Sequence, residues 1–266
     1  MVLLSGIIFV VIFPGLPDII FIAGKRVHEP VLDLLAFGAH PDDVEVGVGG
    51  ILAAHTLKGY ACGIIDLTAG EMASNGTVPQ RRAEAREAAR VLECTVRECL
   101  DLPDAALVPE QDAVYLVVAA LRRLRPQIVL APYYQGDRHP DHNVAGELLR
   151  RAVYLSGLRR LPVRGEPFRP KQLYFFLLSV DLMPDAIVDV SAVYDLKNRA
   201  LDAHRTQFGQ DWDRRVATLV NNPGYRRYIH NRDAYFGSLT GVEYGEGLIF
   251  NTRPLVKDII SWSGLV

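Results

Sequence analysis

The chain has 266 residues, of which 49% are hydrophobic and 23% charged; this balance is typical of one large folded domain and excludes a disordered chain. The 29 Lys and Arg residues are balanced by 31 Asp and Glu residues, for a formal net charge of −2, which excludes the basic field expected of a nucleic-acid-binding or membrane-surface protein. Three cysteines are too few for a disulfide framework, so we expect a cytoplasmic protein.

Residues 1–30 form an apolar extension that we treat separately. Residues 2–13 are almost all apolar, but Pro14 and Pro17 interrupt the run before it reaches the roughly 20 residues that a spanning helix needs. No Lys or Arg precedes Lys25 and no small-residue cleavage site follows the run, which argues against a signal peptide. The other two interpretations are a membrane anchor and a chain start placed upstream of the natural one. We favour the second and leave this extension out of the fold prediction.

After this extension, short apolar runs alternate with longer helical patterns. A short apolar run with Gly or polar boundaries predicts a buried strand, whereas Ala-, Glu- and Arg-rich or amphipathic segments predict helices. In chain order the pattern predicts strand 31–37, helix 49–58, strand 62–67, helix 80–92, strand 96–100, helix 110–124, strand 127–132 and helix 141–154. The C-terminal part adds strands 173–178, 187–190 and 247–251, and helices 192–204 and 226–235.

Four successive strand–helix alternations predict a parallel sheet with right-handed crossovers. We therefore expect an α/β fold, a three-layer Rossmann-like sandwich with a mostly parallel sheet and an elaborated C-terminal part. Because no linker or repeat interrupts residues 31–266, we expect them to form a single domain. In the common strand order 3-2-1-4, the first and fourth strands are neighbours where the strand order reverses, which is where such sheets bind ligands.

Two clusters of polar residues follow these two strands. His40, Asp42, Asp43 and Glu45 come directly after the first strand, and the segment 138–142, Arg-His-Pro-Asp-His, follows the fourth. Because the carboxyl ends of parallel strands lie at one edge of a sheet, we expect both clusters to meet in one crevice. They would bring together three imidazoles and at least three carboxylates.

This set of side chains suits one divalent metal ion. Two imidazoles and one carboxylate leave coordination positions open for water and substrate, which is the pattern of catalytic zinc sites. A second carboxylate can then act as general base, and a third histidine can act as an acid or as the partner of a developing oxyanion. The alternative is that these are loop polar groups that only cap helices.

The two clusters resemble the signatures of the LmbE-like, or PIG-L, family of zinc-dependent N-acetylglucosamine deacetylases. The segments 40–45 (His-Pro-Asp-Asp-Val-Glu) and 139–142 (His-Pro-Asp-His) match both family motifs, and the resemblance extends over about residues 31–256. It implies an LmbE-like fold and a metal-dependent amidohydrolase that removes an N-acetyl group.

The resemblance also implies roles for six residues. Three would be the ligands of one Zn²⁺ ion per chain, at a site that other divalent metals also suit: His40, Asp43 and His142. Three would act in catalysis: Asp42 as general base, His139 as the protonated partner of the tetrahedral oxyanion, and Asp141 as the carboxylate that orients His139 and stabilises its charge.

Four further residues are candidates for contact with substrate: Ser74, Arg81, Arg138 and Tyr225. Arg81 opens the second helix after a loop rich in Gly, Asn and Thr, Arg138 adjoins the second metal motif, and Tyr225 follows an Asn-Asn-Pro-Gly turn. For Arg81 the alternative is a solvated arginine on the helix face, for Tyr225 an ordinary packed tyrosine, and for Arg138 an ion pair with Asp42.

Within the family, the chain most resembles the bacillithiol-biosynthesis branch, which hydrolyses N-acetylglucosaminyl malate. The segments that carry this resemblance are 35–38, 64–68, 74–77 and 241–247. The resemblance implies a small glycoside substrate and a homo-oligomer such as a hexamer. The charge balance predicts no nucleic-acid partner, and the proline-interrupted apolar run argues against a membrane partner. A chito-oligosaccharide or a glycolipid is the alternative substrate within the family, and for the glycolipid residues 1–24 would serve as a membrane anchor.

An alternative from another class is a dinucleotide-binding Rossmann protein. Gly47 and Gly49 follow the first strand, and Asp66 stands about 20 residues further on, as that fingerprint requires. However, Leu52 occupies the position of the third glycine, and the acidic residues after the first strand would repel a pyrophosphate.

Overall fold

The computed structural model of the chain describes residues 9–10, 20–21, 30–179, 182–209, 216–253 and 255. The chain divides into two compact units, Met1–Pro30 and Val31–Val266. In the first unit, Phe9–Val10 and Ile20–Phe21 pair as antiparallel strands of two residues each, and the rest of the apolar extension lies outside the described residues. Within the described ranges, no helix is both long and apolar enough to cross a membrane.

A seven-stranded sheet forms the centre of the second unit. Its strands, in chain order, are β1 (Leu34–Gly38), β2 (Cys62–Thr68), β3 (Val96–Leu102), β4 (Ile128–Pro132), β5 (Gln172–Phe176), β6 (Ala186–Asp189) and β7 (Gly245–Phe250). They lie in the order β3-β2-β1-β4-β5-β7-β6. The first five strands are parallel, and β7 runs antiparallel to both of its neighbours. This confirms the predicted α/β fold with a mostly parallel sheet.

Helices cover both faces of the sheet. They are α1 (Asp43–Thr56), α2 (Val78–Val91), α3 (Gln111–Leu124), α4 (Pro140–Ser156), α5 (Tyr194–Ala203), α6 (Arg205–Phe208) and α7 (Pro223–Thr240), with a 3₁₀ turn at Ser191–Val193. Successive residues of β1 face opposite sides of the sheet, as the pleat requires. Leu35 and Phe37 join the core under α3 and α4, whereas Leu34 and Ala36 join the core under α1, α2 and α5.

The first helix is the main departure from the predicted elements. It begins at Asp43, not at Gly49, because an additional turn precedes a break at Val48, where φ is −143° and ψ is 22°. The predicted helix corresponds to the part after the break. Helix α7 is also longer than predicted: the Asn222 side chain caps its start by accepting a hydrogen bond from the backbone N–H of Gly224, and Gly241 ends it in the left-handed region.

The start of α1 packs so closely on the sheet that there is no room for a side chain at Gly47 unless its neighbours move. A Cβ atom there would lie 2.2 Å from Cδ2 of Phe176 in β5, whereas a Cβ at Gly49 would meet its nearest neighbour, Cγ of Lys197, at 3.4 Å.

We therefore expect Gly47→Ala to lower the free energy of unfolding by about 1–3 kcal/mol, the usual scale of overpacking. In Gly49→Ala, the same methyl group meets an ordinary contact, and Ala favours helix over Gly by roughly 0.5–1 kcal/mol, so that variant should be as stable as the wild type or more so. Urea unfolding of both variants measures the difference. Equal loss of stability in the two would contradict the close contact with Phe176.

Candidate active site

The two polar clusters meet at the carboxyl ends of β1 and β4, which are adjacent parallel strands. His40 lies between β1 and α1, His139 is the N-cap residue of α4, and His142 lies in the first turn of that helix. The three rings form one cluster: the ring centroids of His40 and His139 are 4.7 Å apart, those of His139 and His142 are 4.8 Å apart, and those of His40 and His142 are 5.5 Å apart. The predicted convergence of the two segments is therefore present.

Asp43 joins the two segments through its carboxylate. Its Oδ1 lies 3.1 Å from Nε2 of His142, and its Oδ2 lies 3.5 Å from Nδ1 of His40. One ring nitrogen each of His40, His139 and His142 also lies within 4.8 Å of the other two. The predicted ligands His40, Asp43 and His142 are thus in mutual contact, with His139 as a further nitrogen donor beside them. Two imidazoles and a carboxylate are a donor set that fits a divalent metal ion.

Two further carboxylates lie close to ring nitrogens of these histidines. Nδ1 of His142 lies 2.9 Å from Oδ1 of Asp137, and Nε2 of His40 lies 3.0 Å from Oδ1 of Asp104. Metal-binding histidines are commonly oriented by a carboxylate on the second ring nitrogen in this way. Burial alone would lower the pKa of His142, but Asp43 and Asp137 outweigh it and raise the pKa to about 9. The site therefore stabilises positive charge at this ring.

Neither Asp104 nor Asp137 was among the predicted site residues. Asp137 stands two residues before His139, inside the loop that carries the second motif, so the motif itself pointed to it. Asp104 follows β3, and the rule that ligands bind at the carboxyl ends of strands applies to it as it does to the residues after β1 and β4. The contact of Asp104 with His40 depends on the tertiary structure, which places the loop after β3 beside His40.

Asp42 combines burial with a strained backbone. Its φ is 128°, an unusual value for a residue other than glycine, and strain of this kind is concentrated at functional sites. The side chain is buried, which raises its pKa to about 6; Arg81 opposes this shift and Asp43 adds to it. A carboxylate that titrates near neutral pH is suited to accept a proton in catalysis.

Arg81 is buried and contacts the loop that carries Asp42. Arg81 is 4% exposed, and its Nη2 donates to the carbonyl oxygen of Pro41 at 2.5 Å and to Oδ2 of Asp42 at 3.4 Å. Gly70 makes room for it, since a Cβ there would lie 2.2 Å from Nη1 of Arg81. The structure thus places Arg81 as a support of the Asp42 loop, and not in the predicted contact with substrate.

Asp141 differs from its expected arrangement. Its Oδ2 accepts a hydrogen bond from the backbone N–H of Ala105 at 2.8 Å and lies 3.4 Å from Nε2 of His40. Its contact with His139 comes from the backbone, because the N–H of Asp141 donates to Nδ1 of His139 at 3.3 Å. The expected orienting contact between the Asp141 carboxylate and His139 is therefore wrong; position 141 in the first turn of α4 directs that side chain toward the loop after β3.

The hydrogen bond to Nδ1 of His139 determines where the ring carries its proton. A nitrogen that accepts a hydrogen bond is unprotonated, so the proton of the neutral ring lies on Nε2. Burial, followed by the charges of His40 and His142, lowers the pKa of His139, and this effect exceeds the opposite effect of Asp43 and Asp141. His139 is thus arranged to donate from Nε2 in its neutral form, and not as the protonated ring that the resemblance implied.

Tyr225 and Arg138 lie against each other. The guanidinium carbon of Arg138 is 5.7 Å from the centroid of the Tyr225 ring, and that ring is stacked between Phe208 and Tyr228. Burial raises the pKa of Tyr225, and the charges of Asp42 and Asp43 raise it further, which is consistent with a position beside the acidic pair. Arg138 is exposed and Tyr225 is half-buried; their contact with substrate stays a prediction.

Ser74 is exposed, and the residue after it makes the structural contacts of that loop. Asn75 is buried; its Nδ2 donates to the carbonyl oxygen of Val216 at 2.9 Å, and its Oδ1 accepts from the N–H of Val216 at 3.0 Å. The loop 74–77 is therefore tied to the segment before α7. Residues 210–215, between α6 and this segment, lie outside the described residues.

The dinucleotide alternative fails on Asp66. Its two carboxylate oxygens accept hydrogen bonds from Nε and Nη2 of Arg97, both at 2.9 Å, and the side chain is buried. An acidic residue that binds a ribose hydroxyl must face the ligand. Asp66 instead belongs to a buried ion-pair cluster together with Glu45.

The contact between the Asp104 carboxylate and the His40 ring can be tested by substitution. We expect Asp104→Asn to weaken the binding of Zn²⁺ about 10–100-fold, the usual effect of removing a carboxylate that orients a metal-binding histidine. His142→Ala, which removes a ligand, should weaken binding further. Competition with a chromophoric chelator measures the dissociation constants.

Asp101→Asn is the matched control, because Asp101 lies in β3 close to Asp104 in sequence but is exposed and paired with Arg82. This variant should bind Zn²⁺ as the wild type does. If Asp104→Asn also bound as tightly as Asp101→Asn, Asp104 would have no part in the metal centre.

Comparison with known proteins agrees with this geometry. The PIG-L family, described as GlcNAc-PI de-N-acetylase, matches residues 35–153, which include both clusters. The diacetylchitobiose deacetylase of Thermococcus kodakarensis is 29% identical over 85% of this chain and 86% of its own length. A probable N-acetyl-alpha-D-glucosaminyl L-malate deacetylase 2 of Bacillus subtilis is 29% identical over 63% of this chain and 80% of its own length.

A solved structure extends the similarity to the fold. The conserved protein TT1542 from Thermus thermophilus superposes with a TM-score of 0.78 at 38% sequence identity, over 85% of this chain and 97% of that protein. Taken with the paired motifs at one edge of the sheet, these similarities show that the chain carries a PIG-L (LmbE-like) family domain at residues 35–153, and both curated relatives described above are named deacetylases.

Proposed function

We propose that this chain is a zinc-dependent hydrolase that removes the N-acetyl group from an N-acetylglucosaminyl conjugate, with N-acetyl-glucosaminyl L-malate as its substrate. The observation that carries the reaction class is the contact of one carboxylate, Asp43, with both His40 and His142, beside the buried carboxylate of Asp42. A metal-binding set with an adjacent base is what hydrolysis of an unactivated amide requires.

His40, Asp43 and His142 would hold the zinc ion, which supplies a Lewis acid for the amide carbonyl. Asp42 accepts the proton of the water that attacks the carbonyl carbon. His139, with its proton on Nε2, donates a hydrogen bond to the oxygen on which negative charge develops. The C–N bond then breaks, the proton held by Asp42 passes to the leaving nitrogen, and the products are acetate and a free amine.

Arg138 supports malate as the second part of the substrate. Arg81 is buried and bonded to Pro41 and Asp42, so the exposed Arg138 is the candidate guanidinium for contact with substrate. A guanidinium pairs well with a carboxylate. The Bacillus subtilis relative named for the malate substrate supports the same choice. A chitobiose-type sugar is the second candidate, since the Thermococcus kodakarensis relative matches more of the chain.

The role of Asp42 can be tested without disturbing the fold. Asp42→Asn should keep its zinc and lower the rate of deacetylation about 10²–10⁴-fold, the usual contribution of a general base. Asn is the appropriate substitution because it tolerates a positive φ better than most residues. Metal content and single-turnover rates check both parts; near-normal turnover in the zinc-loaded variant would refute the assignment.

The substrate can be tested by measuring amine release from N-acetyl-glucosaminyl L-malate, diacetylchitobiose and N-acetylglucosamine. We expect the malate conjugate to have the highest kcat/KM. Arg138→Gln should lower kcat/KM for this conjugate by roughly 10–100-fold, the equivalent of one hydrogen bond to a charged group, and leave diacetylchitobiose almost unchanged. Equal efficiency on N-acetylglucosamine, or a preference for diacetylchitobiose, would show that the malate assignment is wrong.

A further inference from the structure

At the break in α1, two side chains from other elements form three hydrogen bonds with the helix backbone. In a continuous α-helix, the N–H of Gly50 would donate to the carbonyl oxygen of Val46, four residues earlier. Here the Val46 oxygen accepts a hydrogen bond from Nη2 of Arg232 in α7 at 2.5 Å. The N–H of Gly50 donates to Oε1 of Glu246 in β7 at 2.9 Å, and the N–H of Ile51 donates to Oε2 of the same carboxylate at 2.7 Å. The guanidinium of Arg232 thus donates to the Val46 carbonyl, and the carboxylate of Glu246 accepts from the two backbone amides.

Arg232 and Glu246 are themselves joined through two more buried charges. Nε of Arg232 donates to Oδ1 of Asp233 at 2.9 Å, and Nζ of Lys197 lies 2.6 Å from both Oδ2 of Asp233 and Oε1 of Glu246. The most exposed of the four, Arg232, is 5% exposed, and Lys197 and Asp233 are completely buried. We call these four residues, Lys197, Arg232, Asp233 and Glu246, the α1 clamp.

The α1 clamp has no net charge, but burying its four charged groups costs hydration free energy. Two cations and two anions cancel, but the loss of hydration for buried charges often exceeds the gain from pairing them. Their contribution to stability alone is therefore a weak reason for their presence. Their contacts with Val46, Gly50 and Ile51 indicate a more specific role, which is to fix the angle between the two parts of α1.

The part of α1 before the break carries Asp43, the residue that contacts both His40 and His142. Because the backbone of Val48 is not helical and the neighbouring backbone groups bond to side chains, the direction of this turn depends on the groups that hold the Val46 carbonyl and the Gly50 and Ile51 amides. Gly47 seats the same turn directly against Phe176. A small rotation at the break would move the Asp43 carboxylate away from the histidines.

We propose that the residues of the α1 clamp are positioning residues for the metal centre: they hold the bend in α1 that directs Asp43 at His40 and His142. This inference rests on the proposed zinc site. It assigns a function to four buried charges that lie outside both sequence motifs.

The primary test uses Glu246→Gln, which keeps the shape of the side chain but removes its charge and one of its two acceptor oxygens. In the full-length chain, the dissociation constant for Zn²⁺, measured against a chromophoric chelator, should rise at least 10-fold. Arg122→Gln is the matched control. Arg122 is equally buried, but it donates to the carbonyl oxygens of Ser156 and Leu158, on the α3–α4 side of the sheet. It should lower Tm and leave the Zn²⁺ dissociation constant within twofold of the wild-type value.

The outcomes separate this inference from the proposed function. If the wild-type chain bound no Zn²⁺, the proposed function would fail. If the wild type bound Zn²⁺ and folded Glu246→Gln bound it within twofold as tightly, the role of the α1 clamp would be wrong and the proposed function would stand.

A measurement on the unaltered chain covers the case in which Glu246→Gln does not fold. Coupling between two sites is reciprocal, so Zn²⁺ should slow hydrogen exchange at the amides of Gly50 and Ile51 more than at the amides of α3. Hydrogen-exchange NMR with and without Zn²⁺ provides this comparison. Equal slowing in α1 and α3 would overturn the inference.

Discussion

The arrangement of the active site depends on the carboxylate of Asp43. It contacts His142 through one oxygen and His40 through the other, and the latter oxygen also accepts the backbone N–H of His40 at 2.8 Å. One side chain therefore links the loop after β1 to the first turn of α4. The other features of the site act on these three residues: Asp104 and Asp137 orient the two rings, and the bend in α1 directs the carboxylate.

Buried charge around this centre is balanced in separate groups. Behind the metal motif, Glu45 pairs with Arg97 and His204; burial would raise the pKa of Glu45, but these partners outweigh it and lower the pKa to about 2. The α1 clamp is a second group that is neutral in itself. Such pairing allows charged residues at positions without water, because an unpaired buried ion costs several kcal/mol. It also leaves Asp42 as a carboxyl whose burial is only partly compensated, which suits a group that must gain and lose a proton.

Residues close together in sequence were the ones whose roles could be predicted. Through their resemblance to the family motifs, the segments 40–45 and 139–142 pointed to the proposed metal ligands and base, and the alternation of strands and helices placed both segments at one edge of the sheet. Predictions that concerned side-chain direction were less successful. Arg81 was expected at the substrate and lies behind Asp42, and the Asp141 carboxylate was expected at His139 and faces His40. Rotamers depend on neighbours from distant parts of the chain, and these neighbours were unknown.

The sequence by itself determined the order of elements, the mostly parallel sheet and the two polar clusters that supply the proposed ligand set, because hydrophobic period, glycine boundaries and paired motifs are local properties. Only the tertiary structure decided what surrounds the ligands. Asp104 reaches His40 because the loop after β3 lies beside the one after β1, and Arg232 and Glu246 reach α1 from α7 and β7. These contacts join residues that are far apart along the chain, and they form because buried charges and the unpaired amides at the break in α1 must find partners once water is excluded.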